Sequence, residues 1–126
     1  MGFDAKKYKE TSGMVPPDTI LDGVIIKIID GAVQDFVTNT ENWKGDLTGP
    51  CINVTVMSKY KPESGEEMEL SVDKLFTYKL GNDGVTEFSG NSNLAKYKAK
   101  YGKLPEVGDS VKLISNSEGF LRVKID

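Results

Sequence analysis

A single short helical segment, with strand-like runs on both sides of it, is the feature that most constrains the fold of this 126-residue chain. Ser92 is a good N-cap, Gly102 suits the position after the last helical turn, and Pro105 prevents the helix from continuing. The apolar side chains between these residues have the i, i+3 and i+7 spacing of one helical face: Leu94, Tyr97 and Tyr101. The other regular elements of the chain are therefore expected to be strands.

The first strand-like run, Thr19 to Val37, has apolar residues on both of its faces. Such a pattern predicts a long strand that bends and belongs to two parts of a sheet. Gly23 and Gly31 are the positions where a bulge or bend would cost least. Alternatively, Gly31 is a tight turn and residues 32–37 form a separate short strand.

Two further strand-like runs lie before the helix. Residues 51–60 alternate cleanly between an apolar and a polar face. Residues 68–80 also alternate, but Lys74 interrupts their apolar face. A bulge near Asp73 and Lys74 is therefore expected to switch the two faces midway.

Two strands joined by a tight turn follow the helix. The turn is Asn116-Ser117-Glu118-Gly119, in which Gly119 can take a positive φ. Three strands, a helix and two strands, in that order, are typical of the five-stranded OB barrel. We therefore predict a mainly β fold, with a five-stranded OB-type barrel and one short helix between strands 3 and 4.

The predicted barrel occupies residues 19–126, and residues 1–18 are expected to form a flexible N-terminal arm that ends at Pro16-Pro17. A chain of this length is a single domain by default. No apolar run approaches the roughly 20 residues that span a bilayer, and the N-terminus lacks an apolar signal-peptide core. A cytoplasmic location is the resulting expectation.

The composition gives no support for catalysis. The chain has no histidine, which excludes a Ser-His-Asp triad, a Cys-His dyad and a histidine-based zinc site. The one cysteine, Cys51, heads an alternating strand and is interpreted as a packing residue. The acidic cluster is interpreted as solvated charge on a turn and strand edge: Glu63, Glu66, Glu67 and Glu69. We expect no enzymatic activity, no metal and no cofactor.

Three stretches give the chain a resemblance to a known family: the first strand Asp22–Ile28, the long polar loop that contains Trp43, and residues 107–124 with their Val-Gly-Asp step and final hairpin. The chain resembles a replication-protein-A-like, single-stranded-DNA-binding OB domain of the archaeal or phage type. The resemblance implies non-catalytic binding of single-stranded nucleic acid, DNA more than RNA, in replication, recombination or repair. It also implies protein partners in a replication complex; the oligomeric state stays open.

An OB barrel binds its ligand on strands 2 and 3 and in the loops after strands 1 and 4. Single-strand binders need aromatic faces for stacking and cations along the backbone path. On this pattern the predicted binding residues are Trp43 and Lys44 in the first loop, Thr55, Met57 and Lys59 on strand 2, Lys74, Thr77 and Lys79 on strand 3, and Phe120, Arg122 and Lys124 on the last strand, with Asn116 and Ser117 in the second loop. Further aromatic side chains that could stack are Phe36, Phe76 and Tyr78, of which parity places the last two inside the barrel.

The charge of the chain keeps a second hypothesis open. The formal net charge is −3, but residues 91–126 carry seven Lys and Arg against four Asp and Glu. A negative net charge argues against electrostatic attraction of nucleic acid by the protein as a whole, whereas a local excess of basic residues permits a basic binding patch. The alternative is a protein-interaction or assembly module, favoured by an apolar second face on the first strand at Ile25 and Ile29. A small-molecule or oligosaccharide binder shares the barrel, and Trp43 either faces a ligand or packs on the barrel end.

Overall fold

Five antiparallel strands form one sheet that nearly closes into a barrel. The computed structural model of the protein describes residues 15–37, 41, 45–63 and 65–125. The elements are β1 (Ile20–Ala32), a 3-10 helix (Val33–Asp35), β2 (Pro50–Tyr60), β3 (Met68–Thr77), β4 (Lys79–Leu80), β5 (Thr86–Glu87), α1 (Asn93–Tyr101), β6 (Ser110–Ser115) and β7 (Leu121–Val123).

The strand order in the main sheet is β3-β2-β1-β6-β7, and β4 pairs with β5 in a separate small hairpin. Strand β1 pairs with β2 along its C-terminal part and with β6 along its N-terminal part. The two end strands, β3 and β7, pack next to each other and bring the sheet round on itself. The predicted OB-type barrel, with its helix between the third and fourth barrel strands, is confirmed.

A β-bulge at Ile26 explains why β1 is apolar on both faces. The pairing of β1 with β2 slips by one residue between Ile25 and Lys27. Ile25 is 1 % exposed and Ile28 also packs against the core, although the two residues have opposite parity. The bulge therefore re-aims the strand so that both halves of it can face the interior.

Three expectations for the first strand are therefore wrong. The bulge lies at Ile26 rather than at either glycine, because β1 continues through Gly31 to Ala32. Residues 33–35 form a 3-10 helix, so there is no separate strand over residues 32–37. Ile25 does not belong to an exposed apolar face, because it lies before the bulge and points into the core, whereas Ile29 lies after it and is 38 % exposed.

Strand β3 keeps one register with β2 over its whole length, from Tyr60 opposite Met68 to Cys51 opposite Thr77. The bulge expected near Asp73 and Lys74 is therefore wrong. The Lys74 side chain lies on the same inward-facing side of β3 as its apolar neighbours and is half-buried. It can reach solvent because β3 is an end strand of the sheet. Strand β3 also ends at Thr77, so Lys79 lies in the β4–β5 hairpin and not on the third barrel strand.

The helix α1 has the predicted caps. The Ser92 hydroxyl accepts a hydrogen bond from the Ala95 N–H at 3.2 Å. Gly102 has φ 83° and donates its N–H to the Lys98 carbonyl at 2.8 Å. These contacts satisfy backbone groups that a helix leaves without partners at its two ends.

The helix packs its aromatic stripe on the barrel. The Tyr97 ring is buried and meets the buried Phe76 ring edge-on, with 5.8 Å between centroids. The Tyr101 hydroxyl donates to the Lys124 carbonyl at 2.6 Å and accepts from the Lys112 N–H at 3.0 Å. These contacts join α1 to the barrel wall and to the final hairpin.

Residues just before the predicted domain boundary also contact the barrel. Val15 is buried, and the Pro16 carbonyl accepts hydrogen bonds from the Thr19 hydroxyl at 2.7 Å and the Ser115 hydroxyl at 2.5 Å. The first fourteen residues of the predicted arm lie outside the described residues. In the described part of the chain, no helix has the length and apolarity needed to cross a membrane.

Asp109 ties the segment between α1 and β6 to the helix. Its carboxylate accepts hydrogen bonds from the Tyr97 hydroxyl at 3.2 Å and the Glu106 N–H at 2.9 Å, and its other oxygen lies 2.9 Å from Lys103 Nζ. Burial raises the pKa of Asp109, but the contacts with Lys103, Glu106 and Tyr97 outweigh burial and leave that pKa below its ordinary value. Burial also raises the pKa of Tyr97, and the Asp109 charge adds to the effect.

We predict that Asp109→Asn lowers the free energy of unfolding by about 1–3 kcal/mol at neutral pH, because a charged acceptor of several hydrogen bonds becomes neutral. The folded-state pKa is depressed, so this stability is present above the unfolded pKa and is lost as pH falls through the folded pKa. The difference in unfolding free energy between the variant and the wild type should therefore disappear as pH falls below about 4. Urea unfolding at several pH values measures it.

The control for this experiment is Glu66→Gln, because Glu66 is exposed in the turn between β2 and β3. It should leave the unfolding free energy nearly unchanged across the same pH range. A loss in Asp109→Asn that stays constant down to strongly acidic pH would contradict the assigned role of the charge.

Candidate functional site

Two cavities and a group of cations follow the length of strand β3. The first cavity, here called the seam groove, is about 480 Å³ and lies between β3 and the β6–β7 turn. The second, here called the end cavity, is about 460 Å³ and lies where β3 meets the β1–β2 loop, the β4–β5 hairpin and the start of α1. Both are lined by β3, so that strand connects the two concave regions.

The cation cluster consists of Lys74, Lys96 and Arg122, which come from β3, α1 and β7. Helix α1 and strand β7 both pack against β3, which brings these side chains to one place. Burial lowers the pKa of Lys74, and the nearby charges of Arg122 and Lys96 lower it further. Three cations from three elements make a local positive field of the kind that attracts anions.

The cluster lies between the two cavities along β3. Residues 69–73 line the seam groove and residues 77–79 line the end cavity, with Lys74 between them. At about 3.3 Å per residue, the path from Ser71 to Thr77 is roughly 20 Å long. The site is therefore elongated, and a linear ligand fits it better than a compact one.

Phe120 is the aromatic side chain of the seam groove, and it is 45 % exposed. Its position is set by the preceding turn, in which the Asn116 side-chain oxygen accepts the N–H groups of Glu118 at 2.9 Å and Phe120 at 3.0 Å. Gly119 takes φ 84°, as the sequence predicted for this turn. The exposed ring is thus held by a hydrogen-bonded turn at the edge of the groove.

The outer face of β2 carries less positive charge than the sequence analysis expected of a binding surface. Lys59 lies opposite Glu69 and forms an ion pair with Glu67 at 3.7 Å. The Thr55 hydroxyl donates to the Asp73 carboxylate at 2.7 Å. Met57 is half-buried beside them. The binding role predicted for Thr55, Met57 and Lys59 stays a prediction, on a face where carboxylates outnumber cations.

The remaining predicted residues separate into three groups. Thr77 and Lys79 line the end cavity. At Lys124 the backbone joins the final hairpin to its neighbours, because its N–H donates to the Lys112 carbonyl at 2.8 Å. Trp43 and Lys44 lie outside the described residues.

The other aromatic side chains are placed as follows. Phe76 is fully buried, as predicted, and Tyr78 is half-buried against the core at the wall of the end cavity. Phe36 is half-buried, with its ring over Gly31. Phe88 joins Tyr78 in the end cavity, and sequence analysis did not single it out.

Lys96 is the member of the cation cluster that is not among the binding residues predicted from the sequence. Lys96 is exposed, yet it precedes the buried Tyr97 and lies on a helix that packs against β3. The signal that could have found the cluster is Lys74 itself, since a lysine on an otherwise apolar strand face needs a special environment.

The structure offers little for metal or thiol chemistry. Among the described residues, no group of three or more His, Cys, Asp or Glu side chains could hold a metal ion. Cys51 is fully buried, and its pKa is raised by burial and by the charges of Asp35 and Asp30. A buried thiol with a raised pKa is a poor nucleophile.

Comparisons with family models, curated proteins and solved structures return no significant match to this chain. The assignment of the fold therefore rests on strand order and register, and a function has to be inferred from the side chains along β3.

We predict that Lys74→Met raises the melting temperature by a few degrees at neutral pH. Burial and two neighbouring cations disfavour the Lys74 charge, and methionine fills a similar volume without charge. Because the folded-state pKa of this lysine is lowered, the wild type regains stability as pH rises through that pKa. The advantage of the variant should therefore shrink towards pH ~10.4, the ordinary lysine value.

Thermal unfolding followed by circular dichroism measures this effect, with Lys61→Met as control because Lys61 is exposed in the turn after β2. The control should leave the melting temperature nearly unchanged. A lower melting temperature for Lys74→Met would contradict the interpretation that the Lys74 charge destabilises the fold.

Proposed function

We propose that this protein binds single-stranded nucleic acid along strand β3 and does not catalyse a reaction on it. The observation that carries the proposal is the convergence of Lys74, Lys96 and Arg122 at the end strand of an OB-type barrel, beside the exposed Phe120. Binders of single strands combine cations that follow the phosphates with aromatic faces on which bases stack.

The choice of DNA, and a role in replication, recombination or repair with other proteins of that process, rests on the resemblance described from the sequence. Because the net charge of the protein is −3, the attraction of phosphates has to come from a local group of cations. The cation cluster supplies such a field within about one Debye length of roughly 10 Å, which salt would screen strongly.

The proposed path runs along the seam between β3 and β7 rather than over the outer face of β2. On that outer face Lys59 is paired with Glu67, so the charge of this cation is already offset and attracts phosphates less. Glu69 and Asp73 also line the seam groove, so the phosphates are assigned to the cation cluster beside the groove. At the seam, the phosphates meet the cation cluster and a base can stack on Phe120. A path of roughly 20 Å suits the short end of the ~4–16 nucleotides that one OB barrel covers.

We predict that the double variant Lys74→Gln/Lys96→Gln binds a fluorescein-labelled oligo-dT about tenfold more weakly than wild type at low salt. Loss of two phosphate contacts should also flatten the dependence of log K on log salt by about 1.4, since each contact on a single strand contributes ~0.7. Fluorescence anisotropy titrations at several salt concentrations measure both quantities.

The matched control is Lys27→Gln/Lys61→Gln, which removes the same charge from exposed positions outside the seam. It should keep most of the affinity and nearly the wild-type salt slope. Equal losses in both double variants would contradict a localised site, and absence of binding by the wild type at low salt would remove the proposed function.

A second candidate function, assembly with other protein chains, is favoured by an apolar strip along the outer side of β1. Four side chains there are more than a third exposed: Ile20, Val24, Ile26 and Ile29. If this strip is an interface, Val24→Asp/Ile26→Asp should convert an oligomer into monomers in sedimentation velocity while the melting temperature of the fold is retained. A wild type that sediments as a monomer at high concentration would contradict self-assembly.

A further inference from the structure

We propose that the end cavity binds one nucleobase of the strand and selects bases that carry an exocyclic amino group. This inference rests on the proposed function, because it assigns a role to the far end of the same path. It goes beyond that function by giving the protein a base preference.

The shape and lining of the end cavity suit a flat heterocycle. Its volume of about 460 Å³ falls within the ~300–1,000 Å³ of typical ligand pockets, which combine mainly apolar walls with a few polar groups. The apolar and aromatic walls come from four parts of the chain: Val33, Pro50, Tyr78 and Phe88. Aromatic and apolar walls of this kind hold an unstacked base in other proteins that take a base out of a strand.

Hydrogen bonds fix these walls to one another. The Val33 N–H donates to the Gly49 carbonyl at 3.1 Å, and the Tyr78 N–H donates to the Pro50 carbonyl at 3.2 Å. On the helix side, the Ser92 hydroxyl donates to the Ser89 carbonyl at 2.8 Å. The cavity is thus largely preformed, which reduces the ordering cost of binding.

Two acidic residues line the cavity from different elements, Asp46 from the β1–β2 loop and Glu87 from β5, and the Glu87 carboxylate lies beside Gly81 of the β4–β5 hairpin. One oxygen of Asp46 accepts the Thr48 N–H at 2.9 Å and the Thr48 hydroxyl at 2.7 Å. These bonds orient the carboxylate and hold the pKa of Asp46 below its ordinary value, so the group is ionised and can only accept hydrogen bonds.

Hydrogen-bond acceptors in the cavity lining favour a base whose edge carries a hydrogen-bond donor. Carboxylates accept from the N4 amino group of cytosine, whereas thymine presents an O4 acceptor and a methyl group at the equivalent position. The serine hydroxyls of the lining do not offset this preference, because Ser89 already donates to Asn91 at 2.6 Å and Ser92 to Ser89. Two carboxylates also disfavour a phosphate inside the cavity, while the exposed Lys79 at its lining can meet the phosphate of the bound nucleotide.

The test compares oligo-dC with oligo-dT of about twelve nucleotides, two pyrimidine strands whose bases differ in the group on C4, in the proton on N3 and in the methyl group on C5. Anisotropy titrations are run at low salt and mildly alkaline pH, where cytosine is unprotonated. We expect wild type to bind oligo-dC at least about fivefold more tightly than oligo-dT.

The variant Asp46→Asn/Glu87→Gln should lose this preference, since both amides can donate to thymine as well as accept from cytosine. Its affinity for oligo-dC should fall while its affinity for oligo-dT rises, because two negative charges are removed near the strand. A purely electrostatic effect would strengthen both. The amide introduced by Asp46→Asn keeps a carbonyl oxygen that can accept the Thr48 N–H, so the loop geometry is retained.

The control Glu63→Gln/Glu66→Gln removes two exposed carboxylates from the turn after β2 and should keep the preference for oligo-dC. Equal affinity of wild type for the two strands, or a preference that survives in Asp46→Asn/Glu87→Gln, would overturn the inference and leave the proposed function standing. Binding of neither strand at low salt would overturn the proposed function itself.

Discussion

The whole architecture depends on β1 being hydrogen-bonded on both of its edges. Its C-terminal part pairs with β2 and its N-terminal part with β6, so this one strand joins the two halves of the barrel. The bulge at Ile26 lets a continuous strand serve both halves, because it re-aims the inward face at the point where the sheet must coil. The remaining strands add outward from β1, and the sheet comes round until β3 and β7 meet.

The candidate site lies at the place where this closure is incomplete. The strands β3 and β7 are in contact but are not paired, and the helix packs beside them. The seam therefore exposes an aromatic ring, three cations and the seam groove, and the end cavity lies beyond it, where β3 meets the β4–β5 hairpin. The surface opposite the seam, along β1, exposes four apolar side chains next to the charged Asp22 and Lys27, so the second candidate function is assigned to a separate face.

Much of the fold could be predicted from the sequence, because local signals agreed with one another. Ser92, Gly102 and Gly119 each mark a cap or turn that forms as predicted. The bulge positions were predicted wrongly, since apolar residues on both parities show that a slip occurs but not where, and burial at Ile25 depends on contacts made across the sheet. For the site, the sequence suggested Lys74, Phe120 and Arg122, but only packing shows that Lys96 joins them and that a cavity forms around Tyr78 and Phe88.

Lys74 has a consequence for the behaviour of the protein in concentrated solution. An end strand in a sheet is a template for pairing with the strand of another molecule, and natural proteins block such pairing with inward-pointing charges. Lys74 is a half-buried charge on the core-facing parity of an end strand, so a second strand that docked there would have to bury it without a partner. The charge that disfavours burial of Lys74 therefore also opposes strand-to-strand pairing at β3, and the proposed binding of a nucleic-acid strand uses the same side chain.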